Sequence, residues 1–156
     1  MKADIVFVTY NSARYIEGCF QALARISTPK EEFQVLVVDN GSTDNTLELL
    51  EKARKEGGFP HFRIIPTGKN LGFGRGCNLG AGEGTAPLIF FLNIDTEIHE
   101  EAMEEIFREA EASGDSVGAF ELRQVPYEHP KCYNPVTLET SWCSGAAVFI
   151  RRKAFE

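Results

Sequence analysis

The sequence has no excess of basic residues, no long apolar run and no paired cysteines, and each absence removes a class of function. Sixteen Lys and Arg stand against 23 Asp and Glu, giving a formal net charge of −7 and a pI near 5.1. Nucleic acid and anionic membranes demand a basic face, so neither is an expected partner, although a single nucleotide in a local pocket remains compatible with this charge. No stretch reaches the roughly 18 consecutive apolar residues that a membrane-spanning helix needs. The opening MKADIVFVTY is too polar and too short for a secretory signal. Cys19, Cys77, Cys132 and Cys143 lie far apart with no CxxC pair, so structural zinc is not expected, and reduced thiols fit a cytoplasmic compartment. The first apolar segment runs into Thr9-Tyr10-Asn11-Ser12-Ala13, without the glycines of a dinucleotide-binding turn. GFGRG at 72–76 lacks the following Lys-Ser or Lys-Thr of a P-loop.

What is there is an ordinary globular composition: 156 residues, 43% hydrophobic and 25% charged. That suffices for one core and is too short for two domains, so a single domain over 1–156 is expected. Ala3–Tyr10, Phe33–Val38, Phe62–Ile65 and Leu88–Leu92 read as strands. The first, second and fourth are mostly apolar, the pattern of a strand covered on both faces in a parallel sheet. Tyr15, Ile16, Cys19, Phe20 and Leu23 recur at helical spacing behind Asn11-Ser12. A second helix starts at Thr43 or Asp44 and carries Leu47, Leu49, Leu50 and Ala53, and a third covers Ala102–Ala112. Val117–Leu122 and Ala146–Ile150 complete the strands. Strand–helix alternation of this kind predicts an α/β fold with a largely parallel sheet. Ligands in such folds bind beyond the carboxyl ends of the strands, which singles out Thr9-Tyr10-Asn11, Asp39-Asn40 and Asn93–Asp95.

Each candidate admits two readings. Asp39 can accept hydrogen bonds from a nucleobase or ribose, or it can stabilise the Asp-Asn-Gly-Ser turn. The glycines between Gly68 and Gly84 can admit a phosphate beside Arg75, or permit close packing of a helix. Asp95 is well placed for Mg²⁺ or Mn²⁺, hard cations that take oxygen ligands and share them with substrate phosphates; alternatively Asp95 or Thr96 caps the next helix. His61, His99 and His129 sit in separate polar contexts with no nucleophile beside them, and are read as surface or packing residues. Lys52–Lys55 and Arg151–Lys153 read as solvated charge clusters. Trp142 either lines a sugar-binding surface or packs in the core.

Together and in this order, these segments resemble family 2 of the inverting glycosyltransferases. The resemblance runs from Ile5 to Phe155. It rests on VTYNS at 8–12, VVDNGSTDNT at 37–46, NLGFGRGCNLG at 70–80, LNIDTEI at 92–98 and WCSGAAVFIRRKAF at 142–155. It is nearest the branch that contains rhamnosyltransferases, where N-x-D-T-E replaces D-x-D. The resemblance implies the GT-A fold, a Rossmann-like three-layer α/β sandwich. It also implies transfer of a sugar, with inversion, from a UDP-, dTDP- or GDP-linked donor to a saccharide or lipid-linked acceptor in cell-surface polysaccharide synthesis. Thr9, Tyr10 and Asn11 would line the nucleoside pocket, Asp39 would bond the base and Asp44 would support its turn. Gly72, Arg75, Asn78 and Asn93 would belong to the nucleotide-sugar side. Asp95 would hold Mg²⁺ or Mn²⁺, with Asn93 in place of the usual first carboxylate. Trp142 and Gly145 would lie on the acceptor side.

Two departures from the family pattern stand out. Gly76-Cys77-Asn78 occupies the place where many members have Ala-Arg-Asn, leaving Arg75 as the nearby charge. The catalytic base of the family lies in an acidic segment downstream of the Gly-Ala strand, beyond Glu156, so the catalytic residue is unknown here; Glu121 and Glu139, the nearest acids, do not match that segment. The chain therefore reads as the N-terminal, donor-binding portion of a longer enzyme that is cytoplasmic, or peripheral at the inner face of the membrane. The alternative is a non-catalytic nucleotide-binding module or a degenerate transferase.

Overall fold

The apolar runs become the centre of a six-stranded sheet of order β3-β2-β1-β4-β6-β5 in the computed structural model, which describes all 156 residues. The strands are β1 (Ala3–Thr9), β2 (Phe33–Asp39), β3 (Phe62–Pro66), β4 (Leu88–Leu92), β5 (Ala119–Glu121) and β6 (Ala147–Arg151). β3, β2, β1 and β4 run parallel, while β6 returns antiparallel to both β4 and β5. The five residues of β4 are all buried, as are six of the seven in β1, because helices cover both faces of the sheet. No helix is long and apolar enough to cross a membrane.

On one face, α1 (Ala13–Arg25), α2 (Thr46–Glu56) and α4 (Ala102–Ser113) cover a core containing Phe7, Ile16, Phe20, Leu50 and Met103. On the other, α3 (Phe73–Gly82) lies over Val6, Leu36 and Ile89, joined by the short α5 (Arg152–Phe155), whose Phe155 ring sits 5.6 Å from that of Phe91. This is the expected three-layer α/β sandwich. Two of the four glycines of α3, Gly76 and Gly80, serve packing. A Cβ on Gly76 would lie 2.8 Å from Val8 Cγ1, and one on Gly80 would run into Val6, so the helix backbone rests directly on β1 and β2.

Two expectations are corrected. α2 starts at Thr46, later than Thr43 or Asp44, because the Asp44 carboxylate accepts from the Thr46 amide (3.0 Å) and hydroxyl (2.6 Å) and holds the preceding chain as a turn. The Arg151–Lys153 cluster is only partly solvated. Arg152 pairs at 2.6 Å with Asp4, which is fully buried, and donates to the carbonyls of Ala86 (2.8 Å) and Ala81 (2.9 Å). Arg151 donates to the carbonyls of Val117 (2.7 Å) and Ala110 (2.6 Å). These bonds fasten the end of the chain to its first strand and to α4.

Candidate functional site

Parallel pairing places Thr9 opposite Asp39 at the carboxyl ends of β1 and β2. Asp39 is 1% exposed. Its Oδ1 accepts from the hydroxyls of Thr9 (3.1 Å) and Ser42 (2.5 Å), and its Oδ2 accepts from the Ser42 amide (3.0 Å). A carboxylate offers about four acceptor positions, so one on Oδ2 is left, and no cation pairs with it. The turn-stabilising role is therefore real, and it leaves capacity for a further donor.

Ser42 also ties the first loop to this turn. Its hydroxyl accepts from the Asn11 amide at 2.9 Å, while Asn11 Oδ1 accepts from the Thr43 amide at 2.8 Å. Asn11 has φ +49°, a left-handed conformation that asparagine tolerates better than most residues. The Ser12 amide donates to Thr46 Oγ1 (2.8 Å) and the Ala13 amide to Asp44 Oδ2 (3.3 Å), so the first turn of α1 is bound to the turn before α2. The Thr46 hydroxyl, with backbone amides of Thr46 and Ala13, holds the Asp44 carboxyl below its ordinary value near 3.8.

A second corner is built on Asn40, 2% exposed. Its Nδ2 donates to the Gly72 carbonyl and its Oδ1 accepts from the Leu71 amide, both at 3.3 Å. The Thr67 amide (2.9 Å) and hydroxyl (3.0 Å) donate to the Asp39 carbonyl, and Asn70 Oδ1 accepts from the Gly72 amide at 2.8 Å. Gly72, at φ +86° and ψ 159°, occupies a conformation that only glycine adopts freely and starts α3. Arg75 and Asn78 lie exposed on that helix and neither hydrogen-bonds to another side chain.

At the end of β4, the Asn93 carbonyl accepts from the Thr96 amide (3.2 Å) and hydroxyl (2.5 Å), closing a turn that leaves Asp95 exposed and without an ion pair. Neither Asp95 nor Thr96 caps α4, which starts only at Ala102 and is preceded by Glu101. A cleft of about 80 Å³ between α1 and this turn is lined by Arg14, Tyr15, Asp95 and Glu97, with Cys19 beneath. Burial, with Glu97 and Asp95 adding to it, pushes the Cys19 thiol up to about 12. The Asn93 amide donates to the Ala146 carbonyl at 2.8 Å, which sets Gly145 and Ala146 beside the β4 end. Trp142 lies three residues before Gly145 in the same segment. It is 43% exposed and lies over the Lys131 ammonium, 4.7 Å from ring centroid to Nζ. Lys131 in turn pairs with Glu121, whose Oε1 accepts from the Ser144 amide at 3.1 Å.

The fold thus gathers Thr9, Tyr10, Asn11, Asp39, Gly72, Asn93, Asp95 and Gly145 along one edge of the sheet, with Arg75 and Asn78 on the flanking helix. Asn40 and Ser42 organise that edge; the sequence marks Asn40 by its place after β2 but gives neither residue a role. Their signal is the Asp-Asn-Gly-Ser cluster, in which only Asp39 is weighed for a ligand-binding role. A family model described as glycosyl transferase family 2 matches residues 4–156. The chain belongs to that family. TarS of Staphylococcus aureus, a poly(ribitol-phosphate) beta-N-acetylglucosaminyltransferase, is 33% identical over 106 residues, covering 67% of this chain and 18% of TarS. The N-acetylglucosaminyl-diphospho-decaprenol L-rhamnosyltransferase of Mycobacterium tuberculosis is 37% identical over 75 residues, 47% of this chain and 22% of that protein. Among solved structures, TarS 1-349 in complex with UDP-GlcNAc superposes with TM-score 0.79 at 23% identity, covering 97% of this chain and 46% of that one. The mannosyltransferase PcManGT of Pyrobaculum calidifontis, in complex with GDP-Man and Mn²⁺, gives TM-score 0.79 at 16% identity, covering 97% and 45%. The fold of this family 2 chain is therefore GT-A, and the chain spans under half the length of these structures.

Proposed function

We propose that this chain forms the donor-binding part of a glycosyltransferase that moves a sugar from a nucleoside diphosphate to a saccharide or lipid-linked acceptor with inversion, in cell-surface polysaccharide synthesis. The observation that carries this is Asp39: a buried carboxylate at a strand's carboxyl end, fixed by three donors, unpaired with any cation, and holding one free acceptor position. A base with an imide or amide N–H (uracil, thymine or guanine) supplies the missing donor, and a charge-assisted bond of that kind is among the stronger ones available to a ligand. Thr9 and Ser42 keep the carboxylate in its orientation, and Tyr10, half exposed beside it, offers a ring face to the nucleoside. UDP-GlcNAc and GDP-Man in the two structural neighbours support a nucleotide-sugar ligand.

The donor set at the β4 end fits a divalent cation shared with a diphosphate. Asp95 contributes an exposed carboxylate free of protein partners and Asn93 an amide oxygen. No cluster of three acidic, histidine or cysteine side chains is present to hold an ion unaided, which suits Mg²⁺ or Mn²⁺ bound largely through substrate phosphates. When bound, the ion would stabilise the negative charge that gathers on the departing diphosphate. Ala146, which accepts from the Asn93 amide, and Gly145 next to it border the face from which an acceptor approaches. A binding module without chemistry is the second reading. It is favoured by Glu121, whose carboxylate is engaged by Lys131 and Ser144 and is not free to take a proton from an acceptor hydroxyl.

Titration calorimetry with UDP, dTDP and GDP, each with Mn²⁺ and with EDTA, tests the proposal. One nucleotide is expected to bind, more tightly with Mn²⁺. Asp95→Asn should remove the Mn²⁺ dependence, and Asp39→Asn should weaken binding with or without metal. Folded protein that binds none of the three overturns it.

A further inference from the structure

Asn40 is buried at the site edge, yet both ends of its amide are taken by protein. Its Nδ2 donates to the Gly72 carbonyl, and its Oδ1 accepts from the Leu71 amide. Both ends of the amide are thus anchored to the protein, with one N–H and one lone pair left over. Its position explains what it does. Gly72 is the residue from which α3 departs, and its carbonyl also accepts the first helical bond, from the Gly76 amide at 3.1 Å. Asn40 therefore grips the start of α3 from the residue adjacent to Asp39. The two corners are further locked because Gly41 (φ +80°) sits so close to Lys69 that a Cβ would lie 2.9 Å from its backbone. The Thr67 hydroxyl reaches the carbonyls of both Asp39 (3.0 Å) and Lys69 (2.6 Å).

The segment held in this way carries two exposed cations, Lys69 and Arg75, neither of which forms an ion pair with a carboxylate of the protein. A carboxylate at the β2 end and cations on the adjoining segment are complementary to the two parts of one ligand, an N–H-bearing base and an anionic diphosphate. Resting on the donor-site reading above, we infer that Asn40 is a positioning residue that holds the Lys69–Arg75 segment in place for the diphosphate, separately from recognition of the base by Asp39. A carboxamide supplies a donor and an acceptor on one flat group. An aspartate of the same shape turns an oxygen toward the Gly72 carbonyl and repels it.

The test measures nucleoside and nucleoside diphosphate side by side on the intact chain, using the base that wild type prefers, by calorimetry for the diphosphate and NMR titration for the nucleoside. Asn40→Asp is expected to weaken the diphosphate about tenfold, the factor equivalent to about 1.4 kcal/mol, and to leave the nucleoside within about twofold. Arg75→Ala should remove the same increment, and the double variant should be no worse than either single one. Asn40→Ser, neutral and too short to reach both groups, should reproduce the split if the aspartate destabilises the fold. Parallel loss of nucleoside and diphosphate affinity overturns the inference, because Asn40 then serves the base turn. Unchanged affinity for both overturns it as well. Wild-type protein that is folded and binds neither ligand overturns the donor-site reading, and this inference with it.

Discussion

Two buried aspartates sit at opposite ends of the same sheet, and their surroundings differ in kind. Asp4, near the start of β1, is fully buried. It takes Arg152 at 2.6 Å, the Gln34 side-chain amide at 2.6 Å and the Ala86 backbone amide at 2.8 Å. Gly84 packs so tightly there that a Cβ would collide with the carboxylate. Asp39, at the end of β2, is equally buried and also takes three donors, but they are two hydroxyls and one amide, with no cation among them. The first site is closed: its charge is neutralised inside the protein and nothing more can reach it. The second is held in shape with its charge unpaired, the state expected where a ligand supplies the missing partner. Burial alone does not distinguish a structural carboxylate from a functional one; the identity of its partners does.

The largest expected effect tests the closed end. Arg152→Ala leaves Asp4 charged and uncompensated in the core, a change that costs about 3–5 kcal/mol when one partner of a buried pair is removed. Urea denaturation should register that loss. Nucleotide affinity, measured at low temperature where the variant is still folded, should stay at the wild-type value. A variant whose binding falls in proportion to its stability would show that the two ends are not independent, and the comparison would break.

Asp39→Asn is the converse. The side chain keeps its shape and can still accept from the Thr9 and Ser42 hydroxyls, losing only the bond from the Ser42 amide, so stability should fall by about 1–2 kcal/mol. Nucleotide binding should weaken by about 1.5–3 kcal/mol, roughly 10–150-fold, since the lost bond is one to a charged acceptor. Equal costs in stability for Asp39→Asn and Arg152→Ala would mean that Asp39 is only a turn residue.

This contrast was partly legible in the sequence. β1, β2 and β4 were, because a parallel strand covered on both faces must be apolar almost throughout, and the polar residues directly after such runs mark the ligand-binding edge. The α3 glycines admitted two readings, and only the contacts with Val8 and Val6 decide for packing. Arg152 was read as a solvated charge because its partner lies 148 positions away, and no local pattern encodes so distant a pairing. The antiparallel return of β6 was hidden for a similar reason, since the irregular segment 122–146 that precedes it carries no periodicity. Asn40 and Ser42 lay within a cluster recognised as a turn, but which side chain bonds which strand end depends on the β1–β2 register.

A smaller effect sharpens the comparison at Asp39 itself. Thr9→Val preserves volume and removes one of three donors to the carboxylate. Thermal or urea unfolding should show a loss of about 1 kcal/mol, and nucleotide affinity should drop by less than it does in Asp39→Asn, because the carboxylate remains and only its orientation loosens. A Thr9→Val variant that binds as poorly as Asp39→Asn would shift the recognition role from the carboxylate to the hydroxyl.

Glu121 is a partly buried third carboxylate, and it falls on the closed side of the comparison. Burial pushes its carboxyl up, but the hydrogen bonds from Lys131 and Ser144 more than offset this, so it titrates below its ordinary value near 4.5. A group whose pKa is depressed by folding stabilises the folded state above the unfolded pKa, and that contribution is lost as the pH falls through the folded one. Lys131 also lies over Trp142, the only tryptophan in the chain, so protonating Glu121 frees the ammonium and changes the indole's surroundings. An acid titration of tryptophan fluorescence should therefore show a step below pH 4.5 while far-UV circular dichroism, which reports the sheet and helices, stays constant through it. Glu121→Gln should abolish the step and show the altered emission already at neutral pH. A step that survives in Glu121→Gln, or one that coincides with loss of the far-UV signal, would mean that the 122–146 segment is not governed by this pair, and that a cation partner does not by itself make a buried carboxylate structural.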